Sequence, residues 1–324
     1  MLMGVLQRMW FMSLTPDNAT TPSSRRKVNL LWLGGLTAIG FATAIWGLGN
    51  VLMQTAEAVA PPSLLMLLRF LIASLVLLPF VLQSKLSSRD ALFGLGVGAI
   101  LGMAVFSQGA ALKTVPVDQM AFISALYVVI VPLLMAVIQK KWPHPILWFA
   151  VLASLVGATL LIGPISLGLK AGTLWSLGGA VGLSLQIIGT TKMTNKMTPL
   201  ALAGLQSAGA FIVLVPVTLI HSWHASSVNE MLHWSVQVWL QIGYLAVFAQ
   251  AMAIWLQGWG QKWVSETEAA IAFNTEPVWT ALFALVILSQ VLTVVQFIGA
   301  ALVVGSLTVI SWRSGKKPLQ GGIS

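Results

Sequence analysis

Residues 262–290 read KWVSETEAAIAFNTEPVWTALFALVILSQ. The segment is apolar enough to cross a bilayer, yet it carries Glu276 about ten residues in, directly before Pro277. An ionisable group at membrane depth costs at least a few kcal/mol and turns toward a cavity, a proton relay or a partner. Pro277 lacks a backbone donor and disfavours helical geometry at the residue before it, which is Glu276 itself. Acid and helix distortion therefore coincide, making Glu276 the first candidate for a site. The plainer alternative is a proline-kinked helix whose acid is neutral and hydrogen-bonded between helices.

The composition around this stretch sets the class. Of 324 residues, 57% are hydrophobic and only 8% charged, with a mean hydropathy of +0.90. A soluble domain has roughly a quarter of its residues charged, so the chain reads as an all-α polytopic membrane protein with no soluble domain left over. Fourteen Trp against two Tyr, with 29 Gly, fit interfacial belts and close helix packing. No Cys is present, which excludes disulfides and thiol metal sites. The net charge of +9 raises the question of nucleic acid, but the placement of the charges answers it otherwise.

Ten apolar segments are long enough to span about 30 Å of hydrocarbon: 30–53, 63–82, 91–112, 117–138, 145–164, 172–191, 199–220, 237–257, 267–288 and 293–312. Alternating sides puts 14 of the 17 Lys and Arg with the two termini, among them Arg25, Arg26, Lys27, Lys85, Arg89, Lys140, Lys141, Lys192, Lys196 and Lys262. Lys113 and Lys170 fall opposite, and Arg69 lies inside the second span. This is the positive-inside signal, not a nucleic-acid surface, and it expects a cell inner membrane with both termini cytoplasmic. Residues 1–28 read as an N-terminal tail, since Arg8 interrupts the apolar start and no small-residue cleavage site follows.

Sliding the chain on itself by 149 residues aligns Gln108-Gly109 with Gln257-Gly258 and Lys113 with Lys262; eleven of the 36 positions from 103 to 138 are identical. A shift of 137 sets Pro62 on Pro199, Arg69 on Gln206 and Pro79 on Pro216. Each half holds five spans, an odd number, so the second half enters the membrane upside down. The expected organisation is two inverted five-helix repeats, 29–165 and 171–312, followed by a cytoplasmic tail, 313–324. Inversion also explains Lys113, the external partner of cytoplasmic Lys262.

Inverted repeats place a ligand near the midplane, where the halves meet. Under the repeat Glu276 corresponds to Tyr127, each about ten residues into its span. Gln250, Gln257 and Gln261 lie on one helix face. Trp46 and Asn50 on the first span, Gln108 on the third, Gln186 on the sixth and Asn274 on the ninth complete the candidate lining. For any single amide the alternative is an interhelical hydrogen bond that serves packing. Arg69 is read as a structural residue that snorkels to the headgroups, the alternatives being a cation for a substrate carboxylate or an ion pair with Asp118 or Glu57. Trp255, Trp259 and Trp263 read as lipid or interface packing. His221 and His224, with His233 further on, form a weak metal pattern that an amphipathic surface segment explains better. No metal or cofactor is expected.

The stretch VSETEAAIAFNTEPVWTALFALVILSQVLTVVQFIGAALVVG (264–305) resembles the second-repeat signature of EamA-type members of the drug/metabolite transporter superfamily. ALKTVPVDQMAFISALYVVIVPLL (111–134) resembles the first-repeat counterpart, and Trp46-Gly47 with Arg69 matches the opening pair of helices. Ser289-Gln290 departs from the Gly-Glu often found there, so no role falls to an acid at the end of the ninth span. The resemblance implies ten helices, a cavity lined by spans 1, 3, 4, 6, 8 and 9, and export or exchange of small metabolites such as amino acids or related amphipathic compounds. Membrane lipids surround such a protein, and protons are its candidate coupling ion through Glu276. A membrane enzyme would need a nucleophile and base, clustered acids or a metal set, none of which the sequence offers. The stronger alternative is a flippase for a lipid-linked headgroup.

Overall fold

The computed structural model describes residues 22–163, 170–221, 231 and 233–314. Most of both tails, the His221–His224 pattern and the Asp118 side chain lie outside the described residues. The described chain is helical, with no strand among those residues. Its elements are α1 (Pro22–Glu57), α2 (Pro62–Leu82), α3 (Ser88–Ala111), α4 (Val117–Ala125), α5 (Tyr127–Gln139), α6 (Pro145–Ile162) and α7 (Ala171–Thr194). They continue with α8 (Pro199–His221), α9 (Val236–Tyr244), α10 (Leu245–Met252), α11 (Ala253–Gln261), α12 (Glu266–Phe273), α13 (Glu276–Ile287) and α14 (Val294–Ser314).

Local chemistry sets the boundaries. Pro62 and Pro145 open α2 and α6, where a missing N–H costs nothing. Ser87 caps α3 by accepting from the Asp90 N–H at 3.1 Å. Ser265 and Glu268 form a reciprocal capping box on α12. Nine segments among the described residues are long and apolar enough to cross a membrane, and the shorter apolar stretch Val294–Ile310 follows them. The first span runs to Glu57, one helical turn beyond the residue 53 expected.

Three spans expected to be continuous are interrupted. The fourth breaks at Leu126 between α4 and α5, with no proline at the break. The ninth breaks at Asn274-Thr275, so Glu276 begins α13 and Pro277 takes an early position that needs no donor. The distortion therefore precedes the acid instead of lying at the Glu276-Pro277 bond. The eighth span widens into a π-helical turn, α10, between two α-helical pieces.

Four landmarks of spans four and nine recur 149 residues apart. The N-caps are Pro116 and Ser265, the half-helices after the breaks start at Tyr127 and Glu276, and the breaks fall at Leu126 and Thr275. A left-handed residue follows both second half-helices, Lys140 as C-cap with φ 51° and Ser289, one residue past the C-cap Leu288, with φ 55°.

Contacts identify the two ends of the bundle. Lys196 pairs with Asp90 at 3.4 Å, and Pro199 lies against Gly258, so the starts of α3 and α8 and the end of α11 share one end, rich in Lys and Arg. There α1 and α11 approach backbone to backbone at Gly35 and Gly260, where a Cβ on Gly260 would stand 2.6 Å from the Gly35 carbonyl. At the opposite end Thr114 accepts from the Gly172 N–H at 2.8 Å, and Met53 and Ala56 pack with Leu64, Leu65, Val238 and Ile242.

Candidate functional site

Between these ends lies a cavity of about 220 Å³. Its wall on α1 holds Trp46 and Asn50; α2 adds Met66, Arg69 and Phe70. Gln108 comes from α3, Tyr127 from α5 and Gln186 from α7. The eighth span contributes Gln250 and Gln257, and the broken ninth contributes Phe273 and Glu276. Eight of the nine residues expected to line a cavity thus meet in one place. Asn274 does not: it is buried and donates to the Ser154 Oγ at 3.0 Å, joining the ninth span to the fifth. Being next to a helix break, its amide serves packing.

Glu276 stands where its helix restarts, and its Oε1 accepts from the Asn50 Nδ2 at 2.8 Å. The same Asn50 amide donates to the Thr280 Oγ1 at 3.2 Å, one turn further along α13. No donor among the described residues takes the second carboxylate oxygen. Tyr127 lies within electrostatic reach of the acid from the facing half-helix.

Arg69 corrects the snorkelling expectation. Its side chain turns into the cavity, where Nη2 donates to the Ala249 carbonyl at 3.3 Å. Glu57 is exposed and forms no ion pair with it; among the described residues the ion pair within 4 Å is Lys196–Asp90. Arg69 and Glu276 feel each other across the cavity without touching.

The wide turn α10 explains why Ala249 can hold Arg69. The Ala253 N–H reaches back to Phe248 and Gln250 and skips Ala249. The Ala249 carbonyl, passed over by the Ala253 N–H, takes the Trp46 Nε1–H at 2.7 Å as well as Arg69. Single π-helical turns of this kind gather at functional sites. This backbone acceptor is not legible in the sequence, because nothing in LAVFAQAM marks a wide turn, and α2 enters there only through Arg69 as a cation for a substrate carboxylate.

Below the charged pair, toward the basic end, the amides bond to one another. Gln257 donates to Gln186 at 3.2 Å and to Gln261 at 2.9 Å; Gln186 donates to Gln206 at 2.7 Å. Gln261 donates to Thr191 and to the Ile187 carbonyl, both at 3.0 Å. All four Gln are buried, with the Gln206 Nε2 left without a partner, and the network joins α7, α8 and α11 beneath the cavity that Gln186 and Gln257 line. Gln108, by contrast, is half-buried and donates to Ser124 at 3.1 Å, and Asn50 is exposed, so the cavity is wetter away from the basic end. Trp255 and Trp259 face a separate apolar groove with Leu30 and Phe41, as lipid-side packing requires. Among the described residues no cluster of His, Asp or Glu could hold a metal ion.

A helical membrane chain with charged groups around an internal cavity is one of many architectures, and comparison with known proteins decides which. The model of the EamA-like transporter family matches twice, over residues 33–163 and 170–312. The chain belongs to the EamA-like transporter family. It is therefore a multi-pass membrane transporter of the drug/metabolite transporter superfamily, with a small-molecule substrate, and not an enzyme. Among similar proteins, a transporter of Archaeoglobus fulgidus named as uncharacterized is 26% identical over 275 residues, covering 85% of each chain. An inner membrane transporter of Salmonella typhimurium, likewise named as uncharacterized, is 22% identical over 298 residues, or 87% of this chain and 97% of the relative. A solved crystal structure superposes with a TM-score of 0.70 at 20% identity, over 88% of this EamA chain and 98% of that one, a likeness of fold.

Proposed function

We propose that this EamA transporter moves small metabolites, such as amino acids or related amphipathic compounds, across a cell inner membrane by alternating access, as an exporter or exchanger. Two inverted five-helix halves, 29–165 and 171–312, rock about the cavity, and both termini are cytoplasmic. The observation that carries this reading is the asymmetry of the site. The basic end is sealed by the buried Gln186–Gln206–Gln257–Gln261 network and the Gly35–Gly260 contact, while Asn50 and Gln108 remain accessible above it. With the basic end facing the cytoplasm, this is an outward-open state. Duplication is supported by the matched caps, breaks and left-handed ends of spans four and nine, and inversion by the odd number of spans per half.

In this reading Trp46, Asn50, Gln108, Tyr127, Gln186, Gln250, Gln257 and Glu276 form the pathway, and Glu276 is the residue placed to couple protons. The volume favours a free solute over the lipid-linked headgroup of a flippase, since pockets for drug-sized ligands run to about 300–1,000 Å³. Untargeted metabolite profiling of medium from overproducing cells, against a Glu276→Gln control, tests it. A solute enriched only by the unsubstituted protein is expected. Identical profiles, together with movement of a labelled lipid between leaflets of proteoliposomes, would favour the flippase.

A further inference from the structure

The groove that Trp255 and Trp259 face lies on the outside of the bundle, between α1 and α11, and its volume of about 540 Å³ exceeds that of the central cavity. Leu30, Leu33 and Phe41 of α1 form one wall and the two indoles the other. Small residues keep the floor low: a Cβ on Gly34 would stand 3.3 Å from the Trp259 ring. Among the described residues that line the groove, Thr37 has the one polar side chain besides the indoles, and its hydroxyl donates to the Leu33 carbonyl of its own helix at 2.8 Å. What the groove offers an occupant is therefore hydrocarbon, and a polar ligand would lose its hydration there for little return.

Charge stands at one end of this trough only. On the α11 wall Lys262 follows Trp259 by one turn, is exposed, and holds its Nζ 5.6 Å from the Trp263 ring. On the α1 wall the sequence places Arg26 and Lys27 one turn before Leu30, where the apolar span begins. Glu268, an acid that meets α1 at this end, does so half a turn round the helix from Leu30, accepting from the Trp32 Nε1–H at 3.3 Å. From Leu30 to Phe41 the trough runs ~16 Å at the helical rise, from headgroup level into the hydrocarbon. Cations at headgroup level above an apolar slot are complementary to a ligand that is anionic at one end and hydrocarbon below it. We infer that the groove is a site for one anionic phospholipid of the leaflet at the basic end, its phosphate beside Lys262 and an acyl chain between α1 and α11. The seam it fills joins the two matched stretches of the chain, α1 lying in the first and α11 in the second, and runs beside the Gly35–Gly260 contact that closes the basic end. A lipid that touches both helices binds the closed arrangement better than one in which they part, so it clamps that end shut.

Purified full-length protein is equilibrated in micelles with phosphatidylglycerol or with phosphatidylcholine of the same acyl chains, and the lipids retained per chain are counted by native mass spectrometry. One phosphatidylglycerol is expected, held at least about fivefold more tightly than phosphatidylcholine, a comparison that needs no variant and no transported solute. Lys262→Gln should weaken it about fivefold, the effect of one cation beside an anionic headgroup, and adding Arg26→Gln and Lys27→Gln should weaken it further. Thr37→Trp, which fills the trough from an exposed position and alters no charge, should abolish retention. In proteoliposomes a single Cys at 257 should react more slowly with a thiol reagent from the basic end in phosphatidylglycerol than in phosphatidylcholine, and Thr37→Trp should erase that difference. Equal retention of the two lipids, a Thr37→Trp protein that keeps its phosphatidylglycerol, or a dimer that Thr37→Trp dissociates would overturn the site. Equal reactivity of Cys at 257 in both membranes would overturn the clamp.

Discussion

Lys140 and Ser289, 149 residues apart, both hold left-handed backbone, φ 51° and 55°, at the end of the half-helix that follows a break. After Ser289 the Gln290 N–H closes back on the Ala284 carbonyl at 3.3 Å; after Lys140 the Lys141 N–H closes on Ala136 at 3.2 Å. Such closures normally use glycine, because a side chain crowds the following carbonyl. Glycine would have that freedom at 289, and this chain, with Ser289, forgoes it. Ser289→Gly is expected to stabilise the protein by about 0.5–1 kcal/mol, and Ser289→Val to destabilise it by at least as much. Thermal melts in detergent read both; a Gly variant that melts lower would mean that the Ser side chain contributes something the turn needs.

Topology follows from the charge placement. Reporter fusions after Lys85, Lys141, Lys196 and Lys262 should all read cytoplasmic, and fusions within 224–233 external. Lys85 and Lys262 belong to different halves, so agreement requires both halves to have the assigned orientation. An external signal at Lys196 would remove the inverted repeat.

Much of this site was legible because polar atoms inside an apolar span are few and expensive. Glu276, Asn50, Gln108 and the glutamine face stood out for that reason, and the 149-residue shift paired Glu276 with Tyr127 before any geometry was known. Asn274 shows the limit: two residues from Glu276 and just as polar, its amide is used by Ser154 on another span, a choice only tertiary packing makes. Arg69 shows another. Its long side chain reaches headgroups or cavity equally well from the sequence, and it turns inward onto the Ala249 carbonyl beside a wide turn that no residue type announces.

The difference in burial between Gln108 and Gln257 gives a prediction about states. The protein has no native Cys, so a single Cys at either position is read against a clean background. Cys at 108 should react with a membrane-impermeant thiol reagent from outside in the state described here, whereas Cys at 257 should be protected until the basic end opens. Equal inertness at both positions under every condition would make the pair packing amides.

Gly260 offers a way to shift the balance between those states. An Ala there would put its Cβ 2.6 Å from the Gly35 carbonyl and 2.7 Å from Ile39 Cγ1, both in the contact that closes the basic end. Backbone cannot yield as a flexible side chain can, so Gly260→Ala should disfavour the closed basic end specifically. In that background Cys at 257 is expected to gain reactivity while Cys at 108 loses it. Loss of folded protein instead would show that the contact holds the fold and not a gate; unchanged reactivity at both sites would show that the two helices part without consequence.

Glu276 is the sharpest test of coupling. Gln keeps the size of the side chain and an oxygen for the Asn50 amide at 2.8 Å, and it leaves the Asn50–Thr280 bond at 3.2 Å untouched, so Glu276→Gln should fold and insert. It removes the one proton that this part of the cavity can take up and release. Unsubstituted protein in proteoliposomes is expected to accumulate its solute when a pH difference is imposed, and to exchange solute between equal pools at a rate that varies with pH. The Gln variant should lose the accumulation altogether. The exchange between equal pools that remains should no longer respond to pH. Gradient-driven accumulation that survives the substitution would make Glu276 a neutral partner of Asn50 at a helix break, and the coupling site would have to be sought elsewhere.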